Sequence, residues 1–327
     1  MKAIQGYIAT ADRGFASAIA EWSARGRIHF KTEVRTLLAR VAGEIFTGIT
    51  DPANVAAIDR ALTDFWHGAT ALSRNTRISP TRRRSRQGFL MLLETFRGLV
   101  EQRRRDAGND LFSHMCQAEA STDGDDALVR VFLTIMFGAF DTTSAGVTSM
   151  AYLLARNPAW QERLREEAKQ IPVGSLDATN LKALKQLEWV WKETMRLMPI
   201  ASFVPRAPLR EVEVMGHKIP PGVGVLPMIG AIGRHPDLWT NPSTFDPERF
   251  SPDRAEDKKH PALQMPFGGG AHACVGAQLA NIEVKVLWHR LISTCKFSLP
   301  HDYEARHTHT PMGMVSGDVT LALEPLG

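Results

Sequence analysis

Apolar residues recur at helical spacing along most of the first 200 residues. In the segment 31–49 they fall every three or four positions, which predicts an amphipathic helix; they are Val34, Leu37, Leu38, Val41 and Ile45. The next helix is predicted to have Asp51 as its N-cap and Pro52 at its first helical position. The same spacing predicts helices at 15–25, 86–105, 110–120, 159–171 and 181–199.

A long apolar run occupies residues 131–154, and Asp141 is the one charged residue in it. The run is long enough to span a bilayer. However, this carboxylate and several hydroxyl side chains crowd its middle, and a polar cluster is costly in lipid. We therefore predict a helix that passes through the core of the protein.

The pattern changes after Pro199. Short valine-rich runs broken by proline and glycine predict short strands and turns. A loop-rich region extends to Gly270, a helix is predicted from Val275 to about Thr294, and short strands follow. The expected fold is mainly α with a small β component, in one domain over 1–327.

Composition narrows the class of protein. Hydrophobic residues make up 44% and charged residues 23%, as in a globular protein with a substantial core. The net charge of +4 does not indicate nucleic-acid binding. We interpret the basic runs at 82–86 and 103–105 as solvated helix ends or loops, although an acidic protein partner could also bind them. Three cysteines and no apolar leader at the start favour a cytoplasmic protein without a disulfide framework or an N-terminal anchor.

The segment PFGGGAHACVGAQLA, residues 266–280, places Cys274 directly before a predicted helix. A helix N-terminus favours a thiolate, which is a nucleophile or a metal ligand. The preceding glycines let a flat or bulky group approach the backbone. A phosphate loop would need Gly-Lys-Ser/Thr, and zinc would need further ligands nearby. A catalytic cysteine with His272 as base and a buried structural cysteine stay open from this segment alone.

Residues 267–276 resemble the haem-ligand signature of the cytochrome P-450 family, Phe-Gly-x-Gly-x-(Arg/His)-x-Cys-x-Gly. The matching residues are Phe267, Gly268, Gly270, His272, Cys274 and Gly276. The resemblance implies haem b (iron protoporphyrin IX) as the cofactor, with Cys274 as the thiolate ligand of its iron. It also implies that Phe267 packs near the sulfur, that His272 contacts a haem propionate, and that Gly268 and Gly276 border the cofactor.

Two further segments match the family in the same order. The resemblance implies that Glu193 and Arg196 of KETMR join Arg249 of FDPERF in a buried cluster. This cluster would hold the loop that carries Cys274 in place. Such a cluster must be mutually satisfied, because removing one partner leaves a buried charge. In FVPRAP, Arg206 matches a family arginine that contacts a propionate, a role that suits a guanidinium group.

The segment GAFDTT, residues 138–143, matches the family pattern in the middle of the long helix, with Ala139 where a glycine is usual. The resemblance implies that Asp141 and Thr142 are a catalytic acid–alcohol pair that relays protons, and that Ala139 lies beside the cofactor. Independently of the match, hydroxyl groups in a helix can bond to carbonyls of the preceding turn and bend it.

The resemblance runs from about residue 9 to the C-terminus. Family members usually have a further N-terminal region, which contains helices and most of the first β-sheet. We expect a P-450 fold without that region, which would leave one wall of the haem site and the roof of the pocket to be supplied otherwise.

The resemblance implies a monooxygenase that inserts one oxygen atom from O2 into an apolar molecule such as a lipid, a terpenoid or a sterol. A separate ferredoxin or flavoprotein reductase would supply electrons at a basic face near Cys274. The candidate residues of this face are Arg254, Lys258 and Lys259, and those of the pocket wall are Ala139, Phe203 and Val204. The alternatives are a truncated haem-binding remnant without turnover, and a haem enzyme that uses peroxide or isomerises its substrate; the acid–alcohol pair disfavours the latter.

Overall fold

The computed structural model describes residues 2–69, 79–106, 108–118, 124–310 and 312–326. Its helices are α1 (Lys2–Arg25), α2 (Phe30–Thr47), α3 (Pro52–Ala69), α4 (Pro80–Arg105), α5 (Leu111–Gln117), α6 (Gly124–Arg156), α7 (Pro158–Ala168), α8 (Lys185–Leu197), α9 (Ile229–Ile232) and α10 (Ala277–Thr294). Its strands are β1 (Arg27–His29), β2 (Val212–Val214), β3 (His217–Ile219), β4 (Cys295–Ser298), β5 (His307–Thr308), β6 (Met314–Val315) and β7 (Thr320–Pro325). The predicted mainly helical fold with small sheets is confirmed. The end predicted for the helix at 110–120 lies partly outside the described residues.

Local sequence signals set several helix boundaries. The side chain of Asp51 accepts a hydrogen bond from the backbone N–H of Asn54 at 2.9 Å, so the predicted N-cap of α3 is confirmed. Helix α2 ends at Gly48, whose φ of 65° is a left-handed conformation that suits glycine. Asp110 caps α5 in the same way as Asp51 caps α3, through the N–H of Ser113.

Helix α6 runs between α2 and α8, and its second half is buried. Val147, Met150, Ala151 and Leu154 are fully shielded from solvent, which is the core position that the sequence predicts for this run. Nearer its start the helix is more open, with Val131 54% exposed. By length and composition alone, α6 could cross a membrane, and it is the one helix within the described ranges that meets this criterion.

The described part of the chain forms three small antiparallel sheets. The largest has the strand order β1-β7-β4, in which Ile28 lies opposite Leu321 and Phe297 lies opposite Leu323. The other two are the hairpins β2–β3 and β5–β6. The β5–β6 hairpin packs beside α6 and brings the C-terminal part of the chain to the middle of that helix.

Candidate active site

The loop that carries Cys274, residues 267–276, is called the cysteine loop. It begins at Phe267, which packs against the hydrophobic core, and ends at the start of α10. Gly268 and Gly270 both have left-handed backbone conformations, with φ of 71° and 67°, which a side chain would strain. The N–H of Cys274 donates to the carbonyl oxygen of Phe267 at 2.8 Å and closes the loop. Val275 and Gly276 form a turn, so α10 begins at Ala277 and not at Val275, where the sequence predicted it. Cys274 therefore precedes the helix by a turn that Gly276 completes.

The thiol of Cys274 is exposed and is not part of a disulfide. Neighbouring Val275 is 83% exposed, an unusual position for a large apolar side chain. A Cβ atom built on Gly270 would meet nothing within 4 Å, and one on Gly276 would lie 3.9 Å from the sulfur. The face around Cys274 is thus open and apolar in part, which leaves room for a planar group beside the sulfur. Phe267 packs at the edge of the main core and anchors the start of the loop.

Arg206 and His272, the two predicted propionate contacts, are both exposed. Arg206 is fixed through its backbone by a pair of hydrogen bonds with Val225, each 2.8 Å long. Its guanidinium group donates to the carbonyl oxygen of Pro205 at 2.9 Å, and within the described residues it forms no ion pair. The charge of Arg206 is therefore available to an anionic ligand.

The three residues of the predicted cluster come together and are almost completely buried. The two oxygens of the Glu193 carboxylate accept from Arg196 at 2.7 and 2.8 Å. Arg249 donates through Nε to both of these oxygens at 3.1 Å, and the N–H of Asp246 donates to Oε1 at 2.8 Å. Every oxygen of this buried carboxylate thus has charged or polar donors, as a buried ion pair requires.

A fourth member of the cluster was not predicted from the sequence. Glu256 accepts a hydrogen bond from Arg249 at 3.0 Å and another from the N–H of Thr240, also at 3.0 Å. Its other oxygen accepts from Arg254 at 2.5 Å. Burial acts to raise the pKa of Glu256, but the hydrogen bonds and the two arginines outweigh it and lower the pKa. The cluster is therefore closed by two carboxylates and not by one.

The same contacts affect the predicted basic face, which consists of Arg254, Lys258 and Lys259. Arg254 donates to Asp246 at 2.6 Å and to Glu256, so both sides of its guanidinium group are occupied by carboxylates. Lys258 and Lys259 stay exposed. The neighbouring acids neutralise Arg254, and Lys258 lies 3.6 Å from the Asp257 carboxylate. Of the three predicted residues, Lys259 is therefore the one without a carboxylate partner among the described residues.

The hydroxyl groups of GAFDTT bond to the helix itself, as predicted. Thr142 Oγ1 donates to the carbonyl oxygen of Gly138 at 2.7 Å, and Thr143 Oγ1 donates to that of Ala139 at 2.8 Å. A Cβ atom on Gly138 would meet nothing within 4 Å, so the helix is open on this side. Ala139 packs against the core.

Asp141 has an ionic partner that the sequence analysis missed. Arg35 of α2 donates through Nε to Asp141 Oδ1 at 2.7 Å and through Nη2 to Thr63 Oγ1 at 2.6 Å. Asp59 lies 3.4 Å from the same guanidinium group. Burial acts to lower the pKa of Arg35, but the two carboxylates outweigh it and raise the pKa. No local signal reveals this contact, because Arg35 and Asp141 are 106 positions apart.

Two small cavities lie beside this part of α6. One, of about 160 Å³, has a mixed lining, in which Lys31, Arg35 and Asp141 lie beside apolar side chains such as Met314 and Val315. The other, of about 170 Å³, is lined by Trp66, Thr142, Ile200, Ala201, Ser202, Phe203, His309 and Met312. Asp141 and Thr142 therefore face different cavities. The predicted pocket residue Phe203 lines the second cavity, whereas Ala139 and Val204 lie outside both.

Comparison with known proteins places these features in a family. The profile described as Cytochrome P450 matches residues 66–323. The protein named Putative cytochrome P450 136 from Mycobacterium tuberculosis is 32% identical over 332 residues, which cover 98% of this chain and 67% of the relative. Abscisic acid 8'-hydroxylase 1 from Oryza sativa subsp. japonica is 35% identical over 204 residues, covering 60% of this chain and 42% of the relative.

Solved structures give the same fold. The cyanobacterial protein CYP120A1 with bound retinoic acid superposes with a TM-score of 0.91, covering 99% of this chain and 76% of that one at 22% identity. The haem domain of cytochrome P450DA superposes with a TM-score of 0.85, covering 100% of this chain and 73% of that one at 20% identity.

Proposed function

The chain belongs to the cytochrome P450 family, whose members bind haem b through a cysteine thiolate and act as monooxygenases, and from this we propose that it inserts one oxygen atom from O2 into an apolar small molecule. The observation that carries the proposal is the free, exposed thiol of Cys274 in a glycine loop that faces open space. A single thiolate on an open face suits the iron of a planar macrocycle. A metal ion held only by protein side chains would need further ligands.

We assign the cofactor contacts as follows. Cys274 is the thiolate ligand, and Phe267 shields the sulfur from the core side. Gly268 and Gly276 keep this side of the cofactor free of side chains. Arg206 and His272 are exposed donors for the two propionates. When bound, a thiolate-ligated haem supplies the electron density that favours O–O cleavage. The cluster of Glu193, Arg196 and Arg249 braces the cysteine loop.

Proton delivery is the task that we assign to Asp141 and Thr142. The Asp141 carboxylate lines the cavity of about 160 Å³ together with Lys31 and Arg35, and we assign to this cavity the supply of solvent protons. The Thr142 hydroxyl lies on the adjacent cavity and is held by the carbonyl oxygen of Gly138. Arg35 fixes the carboxylate in one position, so a proton that reaches Asp141 leaves from a defined oxygen atom.

We propose a lipid, terpenoid or sterol-like substrate. The cavity beside Thr142 is lined mainly by apolar and aromatic side chains. Retinoic acid and abscisic acid, which appear in the names of two similar proteins, are both terpenoids. For the electrons, we propose a ferredoxin or a flavoprotein reductase that contacts Lys258 and Lys259, and for the location we propose the cytoplasm.

A truncated haem-binding remnant without turnover is not favoured. The residues that only turnover requires, Asp141 and Thr142, are present and each lines a cavity. The same pair argues against an enzyme that uses peroxide or isomerises its substrate, because such chemistry does not need protons delivered during the reduction of O2.

The difference spectrum of the reduced haem-loaded chain with carbon monoxide tests the proposal. We expect a strongly red-shifted Soret band from thiolate ligation, and its loss in Cys274→Ser. Cys116→Ser, at a cysteine buried in the core, is the matched control and should keep the band. A band at the position of a histidine-ligated haem in the unsubstituted chain would contradict the assignment of Cys274.

A further inference from the structure

We propose that Ser202 and His309 form the hydrogen-bonding anchor of the substrate pocket, and that the substrate carries a hydroxyl or carbonyl oxygen which binds His309 Nε2. The inference rests on the proposed function and narrows its substrate class. Both side chains line the cavity of about 170 Å³ that also contains Thr142. Ser202 Oγ lies 2.8 Å from His309 Nδ1, so one nitrogen of the imidazole is already engaged.

The second ring nitrogen of His309, Nε2, is the polar group that is free to bind a ligand. Within the described residues, His309 Nε2 has no hydrogen-bond partner, and the side chain is exposed to the cavity. Thr142 is already satisfied by its bond to the carbonyl oxygen of Gly138. Because the Ser202 hydroxyl can donate or accept, His309 can present either an N–H donor or a bare nitrogen to a ligand. The pair therefore suits a neutral oxygen group, whether it is an alcohol or a ketone.

The surroundings hold this pair in one geometry. Gly313 in the turn between β5 and β6 donates its N–H to the carbonyl oxygen of Ile200 at 2.7 Å, which ties the turn to the segment that carries Ser202. A Cβ atom at Gly313 would collide with the carbonyl oxygen of Pro199, so only glycine permits this approach. The two halves of the anchor come from distant segments, and this contact fixes their separation.

His307 supports the ring of His309 from behind. The two rings meet edge to face, with their centroids 4.8 Å apart. Burial is the main cause that lowers the pKa of His307 to about 4, so this side chain is neutral at physiological pH. His307 therefore packs against His309 as an uncharged ring, on the side of His309 away from the cavity.

The anchor predicts a preference between ligands of equal shape. Menthol and p-menthane share one C10 skeleton and differ by a hydroxyl group. Binding of each to the haem-loaded chain would be measured by quenching of tryptophan fluorescence, since Trp66 lines the cavity, and by the perturbation of the Soret band. We expect menthol to bind up to about tenfold more tightly, which is the upper end of the net gain from one well-placed hydrogen bond.

Three variants locate the source of the preference. His309→Phe keeps the ring but removes both nitrogens, and we expect it to bind the two ligands equally. His309→Gln keeps a donor and an acceptor and should restore part of the preference. His301→Phe, at a fully exposed histidine that pairs with Asp302, should keep all of it. A preference that survives in His309→Phe would overturn the anchor.

The outcomes also separate this inference from the proposed function. If the unsubstituted chain gives the red-shifted Soret band and binds both ligands without preference, the anchor is wrong and the proposed function stands. If it gives no such band and binds neither ligand, the proposed function fails and the anchor fails with it. A preference that disappears in His309→Phe and partly returns in His309→Gln supports the anchor.

Discussion

Glu283 of α10 should make the protein less stable as the pH rises. Its side chain is almost completely buried, and no cation or donor contacts its carboxyl group among the described residues. Burial raises its pKa from 4.5 to about 8. Between these two values the folded state holds a proton that the unfolded state releases, so stability falls with increasing pH across this window. The window of the effect therefore includes neutral pH.

The magnitude follows from the width of that window. At pH 7 the solution is about two and a half pH units above the pKa of Glu283 in the unfolded chain. Each unit is worth about 1.4 kcal/mol, so the folded state loses about 3–4 kcal/mol of stability relative to low pH. Glu283→Gln removes the proton equilibrium. We expect its free energy of unfolding, relative to the parent, to rise by about 2–3 kcal/mol between pH 5 and pH 7.

Urea unfolding monitored by circular dichroism at a series of pH values measures this difference, and the subtraction cancels all other titrating groups. Glu304→Gln, at an exposed glutamate, is the matched control and should show a flat difference. A difference between Glu283→Gln and the parent that does not change with pH would refute the reasoning, because it would mean that Glu283 titrates alike in both states.

Three further predictions concern the buried cluster, the packing of α6 and the proposed proton donor. Glu193→Gln leaves Arg196 without a carboxylate partner and leaves Arg249 with Glu256 alone, and a loss of about 3–5 kcal/mol in urea unfolding is expected; a loss below about 1 kcal/mol would contradict the buried cluster. Gly146→Ala places a Cβ atom 2.5 Å from a tryptophan ring of α8 and should cost about 1–3 kcal/mol, whereas Gly138→Ala, with open space in the same helix, should cost nothing. Arg35→Gln frees the Asp141 carboxylate and should slow substrate oxidation by up to about 100-fold with unchanged haem content; an unaltered yield of product per O2 consumed would contradict the positioning role.

The features that could be predicted from the sequence are those that depend on residues close together along the chain. Helical spacing located α2, and the Asp-Pro pair marked the start of α3, because caps and amphipathic faces depend on residues a few positions apart. The loop before α10 was recognised, but its helix begins two residues later than expected. Val275 and Gly276 form a turn before the helix, and this turn leaves no trace in the spacing of apolar positions.

The cluster around Glu193 could be predicted from the sequence only in part. The Glu-x-x-Arg spacing on one helix face predicts a pair, and the resemblance adds Arg249 to it. Glu256 follows Arg249 by only seven positions, yet its role depends on a loop that turns the carboxylate back onto the arginine. Acidic residues in loops are usually solvated, so nothing in the local sequence distinguishes Glu256 from its neighbours.

Two contacts of the candidate site have no local signal in the sequence. Arg35 reaches Asp141 across 106 positions, and Ser202 reaches His309 across 107. Each joins a residue on a segment that resembles the family to a partner from another part of the fold. The acid–alcohol motif alone would suggest a carboxylate free to swing, but Arg35 and Thr63 tie it to the helices α2 and α3. Any movement of those two helices relative to α6 would therefore release or hold the Asp141 carboxylate, which we propose as the proton donor, whereas the hydroxyl of Thr142 depends only on its own helix.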